Sequence, residues 1–278
     1  MTKRARVLID CRDAKGLVYQ ISKFFYDRDL NIENNREFVD SEKGRFFMRS
    51  VVTGEFDTKE LHEALISVVP KDAHIRVIEP RSKKIVLMAT KESHCLGDIL
   101  IRWAAGELEA DIEAVISNRD NLRELTRRFD IPFLYIPSDD IERREHEKQI
   151  LEVLNELTFD YIVLAKYMRI LSSDFVDHFP ERIINIHHSF LPAFIGANPY
   201  KQAHARGVKI IGATAHFVTT DLDEGPIISQ DVIPVNHRFE WKDMQRAGKD
   251  VEKIVLARAL SLVLNDRVFV HGNKTIIF

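Results

Sequence analysis

Two patterns of apolar and polar positions divide the chain. Up to about residue 80, short alternating segments predict the order β-α-β-β-α-β, which is typical of a ferredoxin-like α+β domain. The predicted strands are Arg6–Ile9, Asn31–Val39, Gly44–Thr53 and Ile75–Glu79, and the predicted helices run from Leu17 to the polar break at Asp27 and over Thr58–Val69.

From Lys84 onward, short and purely apolar runs recur at the spacing of helical crossovers. They predict strands at Ile85–Ala89, Ile112–Ile116, Phe133–Ile136, Tyr161–Leu164 and Ile183–Ile186. Asp139 and Asp140 are expected to cap a helix that continues to Leu157. Strands buried on both faces and joined by helices indicate a doubly wound α/β sheet. We therefore expect one domain over residues 1–80, a solvated linker over residues 81–84 and a second domain over residues 85–278.

The composition fits a packed globular protein without a charged partner surface. Of the 278 residues, 45% are hydrophobic and 30% are charged, and the net charge is −3. A nucleic-acid-binding protein would need a concentrated basic stripe, which the sequence lacks. Two cysteines suit a reducing compartment, and no apolar run approaches the length of a membrane span. We expect a cytoplasmic protein with neither nucleic acid nor membrane as a partner.

Polar side chains follow the last predicted strand of the sheet, where ligands of such sheets bind. Asn185, His187 and His188 come at this strand end, and alternation places Asn185 and His187 on one side and His188 on the other. His216 lies near the end of the alternating strand Ile210–Phe217, and a polar segment with Asp221 and Asp223 follows this strand and ends at Gly225-Pro226. Imidazole, carboxamide and carboxylate groups together can transfer protons and stabilise an oxyanion.

Other chemistries have weaker support. The sequence contains neither GxGxxG nor GxxxxGK[ST], so a dinucleotide or P-loop site is not expected. Ser189 does not lie in the GxSxG motif of a serine hydrolase. No HExxH or CxxC occurs, but a metal held by a strand histidine with His216 and Asp223 stays open from the residues alone. Equally, Asp221 or Asp223 could be an ordinary turn residue.

Two stretches resemble a known catalytic signature. NIHHSFLPAF, Asn185–Phe194, and AHFVTTDLDEGPII, Ala215–Ile228, are similar to the folate-dependent formyltransferase fold, which includes glycinamide ribonucleotide formyltransferase. The double histidine and GANPYKQAHARGVKIIGATAH, Gly196–His216, most resemble its hydrolytic members, the 10-formyltetrahydrofolate deformylases. LIDCRDAKGLVYQIS, Leu8–Ser22, resembles an ACT domain. The resemblance implies an N-terminal ferredoxin-like ACT domain and a Rossmann-like formyltransferase-fold domain with a mostly parallel sheet.

The resemblance also implies a function and its residues. The expected reaction is hydrolysis of 10-formyltetrahydrofolate to tetrahydrofolate and formate, which supplies formate for purine synthesis and balances the one-carbon folate pools. No metal and no cofactor are expected, since the folate is the substrate. The matching catalytic residues are Asn185, His187 and Asp223. The matching substrate-binding residues are Met168, Arg169, Ile170 and Leu171 of the segment KYMRIL, with His216 and Asp221.

The alternative is formyl transfer to an amine such as glycinamide ribonucleotide. The transferases have a glycine-rich loop after the first strand of this domain, but here the loop is Thr90–Cys95 and contains Glu92 and no glycine. Such a loop is a poor phosphate site, because close approach of backbone N–H groups favours glycine. The loop therefore favours water as the acceptor.

The first domain is expected to regulate. Asp13 and Gly16 mark the loop where ACT domains bind amino acids, although Lys15 stands where the family often has proline. By resemblance, the expected effectors are methionine and glycine, and the expected assembly is a homo-oligomer, either a dimer or a tetramer.

Overall fold

The computed structural model describes residues 2–193 and 199–278. Phe194 and the Gly196–Asn198 part of the quoted motifs therefore lie outside the described residues. The chain divides into two compact units: residues up to Arg81 together with Phe278, and Ser82–Ile277. Within the described ranges, every helix is too short or too polar to cross a membrane.

The first unit is a four-stranded antiparallel sheet with two helices. Its strand order is β2-β3-β1-β4, so β1 is paired on both sides. The predicted β-α-β-β-α-β order is confirmed. The elements are β1 (Lys3–Arg12), α1 (Leu17–Tyr26), β2 (Asn31–Asp40), β3 (Arg45–Gly54), α2 (Thr58–Leu65) and β4 (His74–Ile78).

Two elements in this unit differ from prediction by more than one residue at an end. β1 is longer than Arg6–Ile9, because its ladder with β3 continues along the whole strand. Helix α2 ends at Leu65 rather than Val69, because the next N–H groups bond three residues back and close a turn: Ser67 N–H donates to Ala64 O at 3.2 Å. The apolar face of α1 is buried as its spacing predicts, with Ile21 and Phe25 fully enclosed.

The second unit has a seven-stranded sheet in the order β11-β10-β9-β8-β5-β6-β7. Five strands pair in parallel, in the spatial order β9-β8-β5-β6-β7, and β10 and β11 add antiparallel pairs at one edge. The predicted mostly parallel sheet is confirmed. The elements are β5 (Lys83–Ala89), α3 (His94–Ala104), β6 (Ala110–Ser117), α4 (Arg123–Arg127), β7 (Phe133–Tyr135), α5 (Arg143–Asn155), β8 (Tyr161–Leu164), α6 (Ser173–Asp177), β9 (Ile183–His187), α7 (Pro199–Arg206), β10 (Ile210–Phe217), β11 (Ile227–Pro234), α8 (Trp241–Leu264), β12 (Val268–His271) and β13 (Lys274–Ile277).

Both faces of this sheet are buried, which explains the purely apolar strands. Ile85 and Leu87 of β5 belong to the core that includes α3 and α8. Val86 and Met88 point the other way, into the core that includes α5 and α6. Because successive side chains alternate between faces, a strand covered on both sides needs apolar residues at every position.

The predicted linker and the predicted helix cap are both corrected. Lys83 and Lys84 belong to β5, and Lys83 is buried with its Nζ 3.1 Å from Asp266 Oδ1, so these lysines do not form a solvated linker. Helix α5 begins at Arg143, after Glu142, and not at Asp139 or Asp140. The Asp139 carboxylate instead pairs with the Arg119 guanidinium.

Candidate active site

The carboxyl end of β9 carries two polar side chains on one face of the sheet. Asn185 and His187 are two residues apart, and His216 of β10 lies directly opposite Asn185 in the antiparallel pair. The Asn185 Nδ2 atom is 3.3 Å from His216 Nε2. Strand pairing therefore places the carboxamide beside a buried imidazole.

The loop between β10 and β11 brings Asp223 to these groups. The Asp223 Oδ1 atom lies 3.2 Å from His187 Nδ1 and 3.7 Å from His216 Nε2. Asp223 has a left-handed backbone with φ 57°, a conformation that Asp adopts more readily than most residues. At Gly225 an added Cβ would lie 1.8 Å from Phe217 O, so only glycine lets the loop fold back this closely.

The hydrogen bonds of His216 fix its tautomer and the orientation of Asn185. His216 Nδ1 is 2.8 Å from the carbonyl oxygen of Phe217 and must donate to it. Burial lowers the pKa of His216, although the bond to Phe217 and the charge of Asp223 act in the opposite direction. A neutral imidazole then leaves Nε2 as an acceptor, so it is the Asn185 NH₂ group that faces it.

Asp223 is held as a carboxylate. Burial by itself would raise the pKa of the Asp223 carboxyl, but the hydrogen bond and charge of His187, together with His216 and His188, hold it below its usual value. His187 is 5% exposed, and its Nε2 has no hydrogen-bond partner among the described residues. The ionised Asp223 carboxylate therefore contacts an imidazole whose Nε2 atom has no partner among the described residues.

These groups line a cavity of about 500 Å³, a size typical of small-molecule sites. Asn185, His187, His216 and Asp223 all contribute to its wall. The predicted substrate-binding residues of the segment after β8 line it as well: Met168, Arg169, Ile170 and Leu171. The cavity combines an apolar wall with a polar end.

Buried polar side chains clamp the segment after β8 at both ends. Thr90 Oγ1 accepts from Met168 N–H at 2.9 Å and itself donates to Asn118 Oδ1 at 2.9 Å. At the other end, the buried Glu147 carboxylate accepts from Ser172 N–H at 2.8 Å. The cavity wall is therefore fixed by hydrogen bonds from neighbouring elements.

Two predictions at this site need correction. Asp221 is exposed and lies outside the cavity lining, so its predicted contact with substrate has no support from the geometry. His188 does not point away: β9 ends at His187, strand alternation ends with it, and the His188 ring stacks on His187 with centroids 5.0 Å apart. Ser189, which lacks a nucleophile motif, is buried, and its hydroxyl donates to Ala193 O of the same loop at 2.6 Å.

A second polar network beside the cavity was not predicted from the sequence. Glu252 of α8 is 1% exposed, and its carboxylate lies 2.8 Å from His94 Nε2, 2.7 Å from Tyr200 OH and 3.2 Å from Lys166 Nζ. These contacts lower the pKa of Glu252 to about 2, against the effect of burial. One signal was available: Glu252 interrupts the apolar stripe of α8 between Val251 and Val255.

Part of this network has the residue types of a metal site. Among the described residues, the one group of three or more close ligand atoms is that of His94, Cys95 and Glu252. Glu252 is already engaged by the Lys166 ammonium, and burial raises the pKa of the Cys95 thiol, so the group fits a hydrogen-bonded network better than a cation. Within the described part of the chain, His187 and His216 do not belong to such a group.

The predicted regulatory residues lie in the first unit. Asp13 and Gly16 are exposed in the loop between β1 and α1. The Asp13 N–H donates to Gly44 O at 2.8 Å, which joins this loop to the turn between β2 and β3. The structure thus places both residues before α1, as predicted.

Comparisons with known proteins agree with this architecture. Residues 83–260 match the formyl transferase family model, and residues 5–69 match the ACT domain model. A formyltetrahydrofolate deformylase of Haemophilus influenzae is 53% identical over 277 residues, which cover 100% of both chains. The chain belongs to the formyltetrahydrofolate deformylase family. The predicted family and fold class are therefore confirmed.

Solved structures separate the deformylases from the transferases. A formyltetrahydrofolate deformylase from Pseudomonas syringae superposes with a TM-score of 0.95 and 42% identity, covering 100% of this chain and 95% of that one. A glycinamide ribonucleotide transformylase from Symbiobacterium toebii has a TM-score of 0.68 and 32% identity, and covers 71% of this chain and 94% of that one. The deformylase likeness thus extends over the whole chain.

Proposed function

We propose that the protein hydrolyses 10-formyltetrahydrofolate to tetrahydrofolate and formate. The observation that carries this proposal is the pairing of the ionised Asp223 with His187 beside the oriented amide of Asn185, all at the polar end of one cavity. The names of the relatives that match the full chain support the same reaction.

Asp223 would act as the base of the reaction. Its lowered pKa keeps the carboxylate ionised at neutral pH, so it can orient a water molecule and accept its proton, directly or through His187. The water oxygen then forms a bond to the formyl carbon, and the formyl oxygen becomes an oxyanion. The proposed role requires only groups that already line the cavity.

Asn185 and protonated His187 would hold that oxyanion. The Asn185 NH₂ group donates one proton toward His216 and has a second proton free for substrate. A protonated His187 donates from Nδ1 to Asp223 and offers Nε2–H, which has no other partner among the described residues. One such donor typically contributes about 3 kcal/mol to the transition state.

Collapse of the intermediate completes the reaction. The bond between the formyl carbon and N10 breaks, and N10 receives the proton taken from water. The product leaves as formic acid with both oxygens and ionises to formate by releasing the second proton of the water molecule to solvent. No further reactant is needed, so we propose that the enzyme requires neither a metal nor a cofactor. The segment from Met168 to Leu171 would hold the folate against the apolar wall of the cavity.

The test is formate release from 10-formyltetrahydrofolate, with and without glycinamide ribonucleotide. We expect stoichiometric formate and tetrahydrofolate in both cases, because water is the proposed acceptor. Formation of a formylated amine with little formate would support the transferase instead. Loss of activity after thorough chelation, restored by a metal ion, would contradict the metal-free mechanism.

We further propose that the first unit regulates this activity in the cytoplasm, as part of a homo-oligomer. The match to the ACT domain model supports a ligand-sensing role, and the loop with Asp13 and Gly16 is the candidate site for methionine or glycine. Isothermal titration calorimetry with both amino acids is the check. Heat from at least one is expected, and no heat from either would leave this unit only an assembly role.

A further inference from the structure

A second, smaller cavity adjoins the catalytic one. Its volume is about 160 Å³, enough for a few water molecules or one small ion. Lys166, Met168 and His188 line both cavities, so the two share a wall. When a folate fills the larger cavity, this shared wall would separate its formyl carbon from the second cavity.

The polar lining of the second cavity carries one cation more than it has carboxylates. It contains Lys166, Lys201 and Lys249 against Glu92 and Glu252. Lys249 Nζ lies 3.3 Å from Glu92 Oε2, and Lys166 Nζ lies 3.2 Å from Glu252 Oε2. Each of the two carboxylates thus has a lysine partner, and Lys201 is the lysine of this lining that has no carboxylate partner among the described residues.

Lys201 is placed to attract an anion. Its Nζ lies 4.8 Å from the centroid of the Trp241 ring, and in the described part of the chain no carboxylate oxygen is within ion-pair distance of it. In the same lining, Tyr200 OH donates to the buried Glu252 carboxylate at 2.7 Å, which fixes the tyrosine ring. At Gly248 an added Cβ would lie 2.0 Å from Tyr200 OH, so glycine permits this close approach of the ring to α8.

The proposed reaction produces an anion next to a carboxylate. Formate is negatively charged at neutral pH, and it forms beside the Asp223 carboxylate, which repels it. The shared wall does not hold it either, because burial, with the charges of Lys166 and His187, lowers the pKa of His188 to about 4 and leaves that imidazole neutral. The Arg169 guanidinium lines the catalytic cavity, and Lys201 offers a further unmatched positive charge beyond the shared wall.

We infer that the second cavity is the formate site of the enzyme, where the product, after it passes Lys166 and His188, is held by Lys201 before release. This inference rests on the proposed hydrolysis. It assigns the cavity a small monocarboxylate.

Product inhibition by formate tests the inference. The variant Lys201→Met removes the charge and keeps the aliphatic stem that lies against Trp241. Because an exposed charge pair is worth up to about 1 kcal/mol, formate inhibition should weaken roughly threefold to fivefold. The matched control is Lys148→Met, an exposed lysine on α5 outside both cavities, where inhibition should equal that of the wild type.

The pattern of inhibition gives a second readout. Formate in the second cavity can bind together with folate, so inhibition should be noncompetitive with 10-formyltetrahydrofolate and should weaken as ionic strength rises. Purely competitive inhibition, no inhibition of the wild type, or an unchanged inhibition constant in Lys201→Met would each overturn the inference. A wild-type protein that releases no formate would instead overturn the proposed function.

Discussion

At the scale of single residues, the polar groups of the site influence one another's protonation states through hydrogen bonds and charge. His216 is neutral because burial lowers its pKa, and its remaining acceptor fixes the Asn185 amide. Asp223 is ionised and accepts a hydrogen bond from His187 Nδ1–H. The result is one ionised acid and two candidate oxyanion donors at the polar end of a single cavity.

The role of Asp223 can be tested against a neighbour in the same loop. Asp223→Asn should lower kcat by about 10³–10⁴-fold, because the amide cannot accept the proton of water. The fold should be retained, as measured by circular dichroism. Asp221→Asn is the control: this exposed residue lies outside the cavity, so its activity should stay near that of the wild type. Near-wild-type formate release by Asp223→Asn would refute the assignment.

Sequence reasoning found these residues because strand alternation is a local property. The two-residue spacing of Asn185 and His187 correctly predicts that they share a face. The same rule failed for His188, since the strand ends one residue earlier. Glu252 and Lys166 were missed because their pairing joins α8 to the segment after β8, a contact that no local pattern encodes.

At the scale of elements, the catalytic cavity depends on loops that other elements hold in place. The segment after β8 begins at Lys166, whose backbone is left-handed with φ 64°, and it is held by Thr90 and by Glu147. Such strain at a site residue persists only where neighbouring structure fixes it. The binding wall is thus organised before substrate arrives.

Thr90→Val tests this organisation with little change of shape. Loss of the hydroxyl leaves Met168 N–H without its partner, which should cost about 1–3 kcal/mol of unfolding free energy. The KM for 10-formyltetrahydrofolate should rise several-fold, because the wall loosens. Thr126→Val is the matched control, since this buried threonine donates to Leu122 O in α4, away from the cavity. Equal KM values in both variants would contradict the proposed role of the clamp.

Element boundaries were less predictable than element types. The strands from β1 to β10 were found because their apolar patterns are strong, but β12 and β13 were not predicted, and Asp139 and Asp140 only resembled a helix cap. The Asp139 carboxylate pairs with Arg119, Asp140 has a left-handed backbone with φ 57°, and α5 starts after Glu142. Tertiary ion pairs of this kind override local capping preferences.

At the scale of the whole molecule, the two units have separate cores and match separate families. The first unit matches the ACT domain model and the second matches the formyl transferase model. The likeness to deformylases covers both units, whereas the transformylase of Symbiobacterium toebii covers 71% of the chain. This difference supports hydrolysis over transfer and associates the first unit with the hydrolases.

The most direct measurement is the source of the second formate oxygen. A reaction of 10-formyltetrahydrofolate in ¹⁸O-labelled water, followed by mass spectrometry of the product, shows whether water attacks the formyl carbon. The account predicts one labelled oxygen in each formate released, and a rate that falls with Asp223→Asn. Unlabelled formate, or label that appears at the same rate without Asp223, would contradict it.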